Sequence, residues 1–131
     1  MEFYFTENIK WSDINPLNHA IRNEYVGNLM NLTVAVCEKV KKKNLSVVSG
    51  FVCGKLAKGV HKDEELRQFV EEGRCVGFTY DGYSIDEFVL NAKNLKKIGV
   101  GFYLTPICFY AILNSDDVKW KNDSKWEVVN R

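Results

Sequence analysis

Two prolines and two histidines in 131 residues leave little material for several kinds of protein. With no low-complexity tract either, a proline-rich linker or an extended disordered region is excluded. The four cysteines stand singly at 37, 53, 75 and 108, with no CxxC pair and no clustering around His19 and His61. Zinc sites are built from grouped thiolates and imidazoles, so neither a metal nor a cofactor is expected. A strong excess of one charge is also missing: 18 basic and 17 acidic side chains leave +1. Chains that bind polyanions are usually far more basic, and nucleic acid is not the expected partner.

The opening stretch MEFYFTENIK has an acid at position 2 and no basic run before an apolar one, so no secretory signal is expected. Reduced thiols and a cytoplasmic location follow as expectations, and the Asn-x-Ser/Thr triplets at Asn31, Asn44 and Asn122 then carry no glycan. The longest uncharged run, Ile98 to Ser115, has 18 residues, the lower limit for a spanning helix. Two glycines, the Thr105-Pro106 break and dense β-branched and aromatic residues make it two buried strands instead. No membrane partner is expected.

What is present is ordinary for a folded protein: 46% hydrophobic, 13% aromatic and 27% charged residues, enough for one globular domain over 1–131. Residues 2–6 read as a strand. Ser12 or Asp13 offers an N-cap for a helix carrying Leu17, Ala20 and Ile21. From Glu24 to Lys43 a longer helix is expected, with Tyr25, Leu29, Leu32, Val36 and Val40 on one stripe, lysines at its C-terminal end and Asn44 closing it in the left-handed conformation. A strand over Val47–Cys53, a helix in KDEELRQFVEEG ending at Gly73 and a strand in RCVGFTY come next. Ser84-Ile85-Asp86-Glu87 is a capping box that opens a helix over 85–97. Two strands within 99–113 and a hairpin in DVKWKNDSKWEVVN complete the chain. Strands gathered late favour an α+β domain with a largely antiparallel sheet and three or four helices on one face.

Three motifs invite chemical readings. Gly50-x3-Gly54-Lys55 resembles a phosphate loop but is one residue short of the required spacing, and Leu56 stands where the magnesium-binding hydroxyl belongs, so it reads as a strand end. Cys53 and His61 are the Cys/His pair closest in sequence, the alternative catalytic pair of a small cysteine-dependent enzyme or ligand-binding domain, though no orienting third group accompanies them. The lysines of KVKKK, 39–43, could touch phosphate but are too few for a nucleic-acid site.

Charge distribution carries more. Residues 63–87 hold eight acids against two arginines, net −6, interleaved with Phe78, Tyr80 and Tyr83. Acids that steer and rings that anchor are the surface chemistry that docks a basic protein. Glu64, Glu71, Glu72, Tyr80, Asp81, Tyr83, Asp86 and Glu87 are therefore the expected binding residues. The expected activity is that of a non-enzymatic inhibitor of the immunity or antitoxin type in interbacterial competition, covering a toxin such as a nuclease. A phage anti-defence protein would use the same physics, and pairing of C-terminal edge strands between two copies is a further option.

Overall fold

The computed structural model describes residues 2–53, 64–91, 93–113, 119–122 and 125–128. In chain order the elements are β1 (Tyr4–Thr6), β2 (Ile9–Lys10), α1 (Trp11–Ile14), α2 (Asn23–Lys39), β3 (Ser46–Ser49), α3 (Glu64–Glu71), β4 (Cys75–Thr79), α4 (Ile85–Asn91), α5 (Lys93–Lys96), β5 (Val100–Leu104), β6 (Phe109–Leu113), β7 (Lys119–Asn122) and β8 (Lys125–Val128). The fold is α+β, as expected. Its centre is a four-stranded antiparallel sheet of order β3-β4-β6-β5, with β1-β2 and β7-β8 as separate two-stranded pairs.

Register explains how the uncharged run is used. Phe78 lies opposite Phe109, which lies opposite Leu104; Val76, Ala111 and Phe102 form the next row on the same face. Those residues join Leu29, Leu32 and Val36 of α2, Phe88 of α4 and Leu95 of α5 in the main core. The intervening rows, Cys75 with Ile112 and Gly77 with Tyr110 and Tyr103, face the other way. There Leu66 and Val70 of α3 cover Cys75, Tyr103 and Ile112. Helices α2, α4 and α5 thus share one face, and α3 packs on the opposite one. Two β-strand faces that are both apolar demand cover on both sides.

Several boundaries differ from the sequence pattern for local reasons. The first helix stops after one turn because Pro16 disfavours helical geometry at Asn15, whose ψ is 68°. Leu17, expected inside, is 50% exposed. Asp13 is the third helical residue and not the cap; its carboxylate accepts the Lys10 N–H at 3.0 Å. Helix α2 ends at Lys39, so Lys41, Lys42 and Lys43 lie beyond its last turn, while Asn44 does take the left-handed conformation at φ 58°. Strand β3 stops at Ser49, and the 85–97 helix is described as two pieces, α4 and α5.

Gly50 owes its place to close backbone approach. Phe51 N–H donates to the Ile14 carbonyl at 2.7 Å, and a Cβ on Gly50 would meet the Ile14 and Asp13 carbonyl oxygens, the latter at 2.7 Å. This glycine lets α1 lie against the end of β3. Gly50→Ala should therefore lower unfolding free energy by about 1–3 kcal/mol, as overpacking against backbone does, measured as a fall in the urea midpoint at constant m.

Candidate functional site

Beyond Thr79 the chain leaves the sheet through a turn in which Gly82 takes φ 80°, and α4 begins at Ile85. The capping box expected here forms at least on one side, the Glu87 N–H donating to Ser84 Oγ at 3.2 Å. Tyr80 is buried, its ring edge-on to Tyr83 at 5.5 Å and to Phe109 at 6.3 Å. Its hydroxyl donates to the Glu87 carboxylate, which also receives the Lys42 ammonium. The Lys42 ammonium lies 5.7 Å from the Tyr80 ring centre.

A second set of bonds fastens the same two segments. The Asp81 N–H donates to the Lys43 carbonyl at 3.0 Å, and the Asp81 carboxylate accepts from Asn44 Nδ2 at 2.7 Å. Asn44 Oδ1 in turn accepts from Asn8 Nδ2 at 3.3 Å. A carboxylate only accepts, so Asp81 fixes the sense of both amides in this chain. The Lys42 ammonium, then the Tyr80 hydroxyl, hold the Glu87 carboxyl below the usual range. Burial, reinforced by the hydrogen bond to Glu87, pushes the Tyr80 phenol up; Tyr83 rises chiefly through burial.

The eight residues expected to bind a partner fall into two groups. Glu64 is exposed on α3, and Glu72 follows it, paired with Arg74 Nη1 at 3.2 Å. Glu71 is half-buried between them. Tyr80, Asp81, Tyr83, Asp86 and Glu87 lie at the other end of β4, about 17 Å away for a five-residue strand. Within this second group only Asp81 and Asp86 are exposed. The two tyrosines are structural: one hydroxyl serves Glu87, and that of Tyr83 lies 2.9 and 2.8 Å from the carbonyl oxygens of Thr105 and Cys108, which share its single proton.

Lys42 and Asn44 are site residues that the sequence did not assign to this cluster; the KVKKK run was a signal, but for the wrong ligand. Lys41, Lys42 and Lys43 line one side of a cleft of about 400 Å³ whose other side is Thr6, Glu7 and Asn8. Exposed apolar residues were also missed: Val89 and Leu90 on α4, at 46% and 77%, and Ile107 in the β5–β6 turn.

Of the alternative catalytic pair, Cys53 is half-buried against the main core, while His61, like Gly54 and Lys55, lies outside the described residues. Burial pushes the Cys37, Cys75 and Cys108 thiols up, away from the thiolate that nucleophilic chemistry needs. His19 sits edge-on to Phe51 at 5.9 Å, its Nε2 buried without a partner. Among the described residues no group of three His, Cys, Asp or Glu side chains is placed to hold a metal ion, and no helix is long and apolar enough to cross a membrane. Comparison with protein-family models, curated proteins and solved structures gives no match.

The lowered Glu87 pKa links this cluster to pH. Its stabilisation is complete above the ordinary carboxylate pKa of about 4 and disappears as pH falls through the lower folded value. Glu87→Gln should cost about 1 kcal/mol at pH 7, the usual worth of a charged hydrogen bond near the surface. The gap between the two proteins' thermal midpoints should close as pH drops below about 4.

Proposed function

We propose that the protein acts by binding another protein, as an inhibitor of the immunity or antitoxin type that covers a basic toxin. The observation that carries this reading is the solvent face of α4. Asp86, Val89 and Leu90 stand at i, i+3 and i+4, so they form one stripe of the helix, and all three are exposed. A leucine at 77% exposure is unremarkable alone. Beside Val89 and an acid on the same stripe, it forms a small amphipathic surface that no described residue covers.

The acids expected to steer a basic partner are thus Asp81 and Asp86, since Glu87 is neutralised by Lys42. The anchors are aliphatic, because the tyrosines first assigned to that role face inward. Extending this from binder to toxin inhibitor relies on matching chemistry, the exposed acids Asp81 and Asp86 for a basic target, and not on the fold.

The test begins with affinity capture from nuclease-treated lysate of the source cells, washed at two salt concentrations. The captured protein should be basic, should be released by salt, and should arrest growth when expressed alone but not when co-expressed with this chain. Asp86→Lys should slow association about tenfold at low salt, and Leu90→Ala should weaken the complex by about 1–2 kcal/mol. Cys53→Ala should leave binding unchanged. Equal affinity for the Asp86 and Leu90 variants and the parent would refute the assignment of this face.

A further inference from the structure

The four lysines that follow Glu38 have different settings. Lys39 lies in the last turn of α2, where the negative end of the helix favours a cation. That influence fades within a turn, so it does not account for Lys41 and Lys43, which lie past the end of the helix. Lys42 is occupied by Glu87. Lys41 and Lys43 are exposed and form no ion pair among the described residues. Both line the cleft of about 400 Å³, a volume within the range of small-molecule sites. The buried Val40 and Leu45 supply its apolar lining. On the other side, in the β1–β2 turn, Glu7 is exposed and likewise without an ion-pair partner among the described residues.

The two sides are fixed in place. Asn8 Nδ2 donates to Asn44 Oδ1 at 3.3 Å and ties one side to the other, while the Asp81 N–H holds the Lys43 carbonyl at 3.0 Å. The cleft therefore presents two free ammonium groups and one free carboxylate on a preformed frame, which lowers the ordering cost of binding. We propose that it binds a small phosphomonoester that also carries an amine, with the phosphate at Lys41 and Lys43, the ammonium at Glu7 and the carbon frame over Val40 and Leu45. A phosphomonoester carries between one and two negative charges near pH 7, so it matches two lysines better than a carboxylate does. An extended polyanion fits poorly, because Glu7 lines the cleft and the Asp81 carboxylate is bonded to Asn44 beside it. None of the residues assigned to the α4 face takes part, so this site and the protein-binding reading stand or fall separately.

The experiment titrates the full chain with glucosamine 6-phosphate, followed by calorimetry and by backbone amide shifts. Binding should saturate, with the largest shifts at residues 6–8 and 40–45. Glucose 6-phosphate, with a hydroxyl in place of the amine, should bind about fivefold more weakly, the upper end for an exposed ion pair, and inorganic phosphate more weakly still. Lys41→Gln and Lys43→Gln should each weaken both sugar phosphates about tenfold, as loss of a charged hydrogen bond does. Their thermal midpoints without ligand should match the parent. Glu7→Gln should abolish the preference for the amine and leave glucose 6-phosphate binding intact. Asp86→Lys and Leu90→Ala should bind glucosamine 6-phosphate as the parent does. Equal affinity of the parent for the two sugars would overturn the role given to Glu7. Inorganic phosphate binding as tightly as either sugar would overturn the cleft as a site, leaving surface lysines that attract any anion. No saturable binding of any of the three would overturn the proposal altogether.

Discussion

Phe109 is the position around which this end of the molecule is arranged. Fully buried on β6, it stacks on Phe88 with ring centres 4.3 Å apart, on Phe78 at 5.6 Å and on Tyr83 at 6.1 Å, with Tyr80 edge-on. Such pairs contribute about 0.5–1.5 kcal/mol each beyond the area they bury. The contacts come from three directions: Phe78 from the neighbouring strand, Phe88 from α4, and the two tyrosines from the turn between them. A one-residue slip of β6 would send Phe109 to the face covered by α3 and detach all of these together. Strand register therefore decides where α4 docks, and α4 decides which acids reach solvent.

The tyrosines illustrate how packing becomes a surface. Their rings belong to the Phe109 cluster, but their hydroxyls lie at its margin and must find partners when half-desolvated. Tyr80 finds Glu87, and through it Lys42, which ties α4 to the segment after α2. Tyr83 finds two carbonyls of the β5–β6 turn. Buried rings set the distances, and polar tips orient three surface segments. Asp81, Asp86, Leu90 and Ile107 are what that frame leaves exposed.

Much of the frame was legible in sequence. Dense aromatic and β-branched residues around Thr105-Pro106 marked the two central strands, Gly73 marked the left-handed end of α3, and Ser84 marked the start of α4, whereas Asn44 is left-handed as expected but lies five residues beyond Lys39, the last residue of α2. Local backbone preferences are written locally. The early end of the first helix at Pro16 is local too and was underweighted beside the helical spacing of Leu17, Ala20 and Ile21, whereas the brief β2 pairing depends on contacts that periodicity does not contain. The site was less legible for the same reason. Lys42 and Glu87 are 45 residues apart, so a charge count over 63–87 could not include the lysine that neutralises one of its acids. A tyrosine's two-sided chemistry suits an interface and a core margin equally, and sequence alone did not divide them. Ile107 was hidden inside an apolar run whose other members are mostly interior.

On the protein-binding proposal, the exposed residues that remain would divide binding work by range. A carboxylate acts over roughly a Debye length, about 8 Å in physiological salt, and so influences encounter before contact. An isoleucine or leucine acts only once water has been expelled, and so influences how long contact lasts. With Asp86 on the same stripe of α4 as Val89 and Leu90, the two would be separable under that proposal: salt should alter arrival, and truncation of an aliphatic side chain should alter departure. That separation requires a fixed frame, because a mobile turn would mix both effects through its own ordering cost. The ring cluster at Phe109 supplies that fixity, and under the proposed reading an otherwise ordinary hydrophobic core would set the terms on which a partner is met.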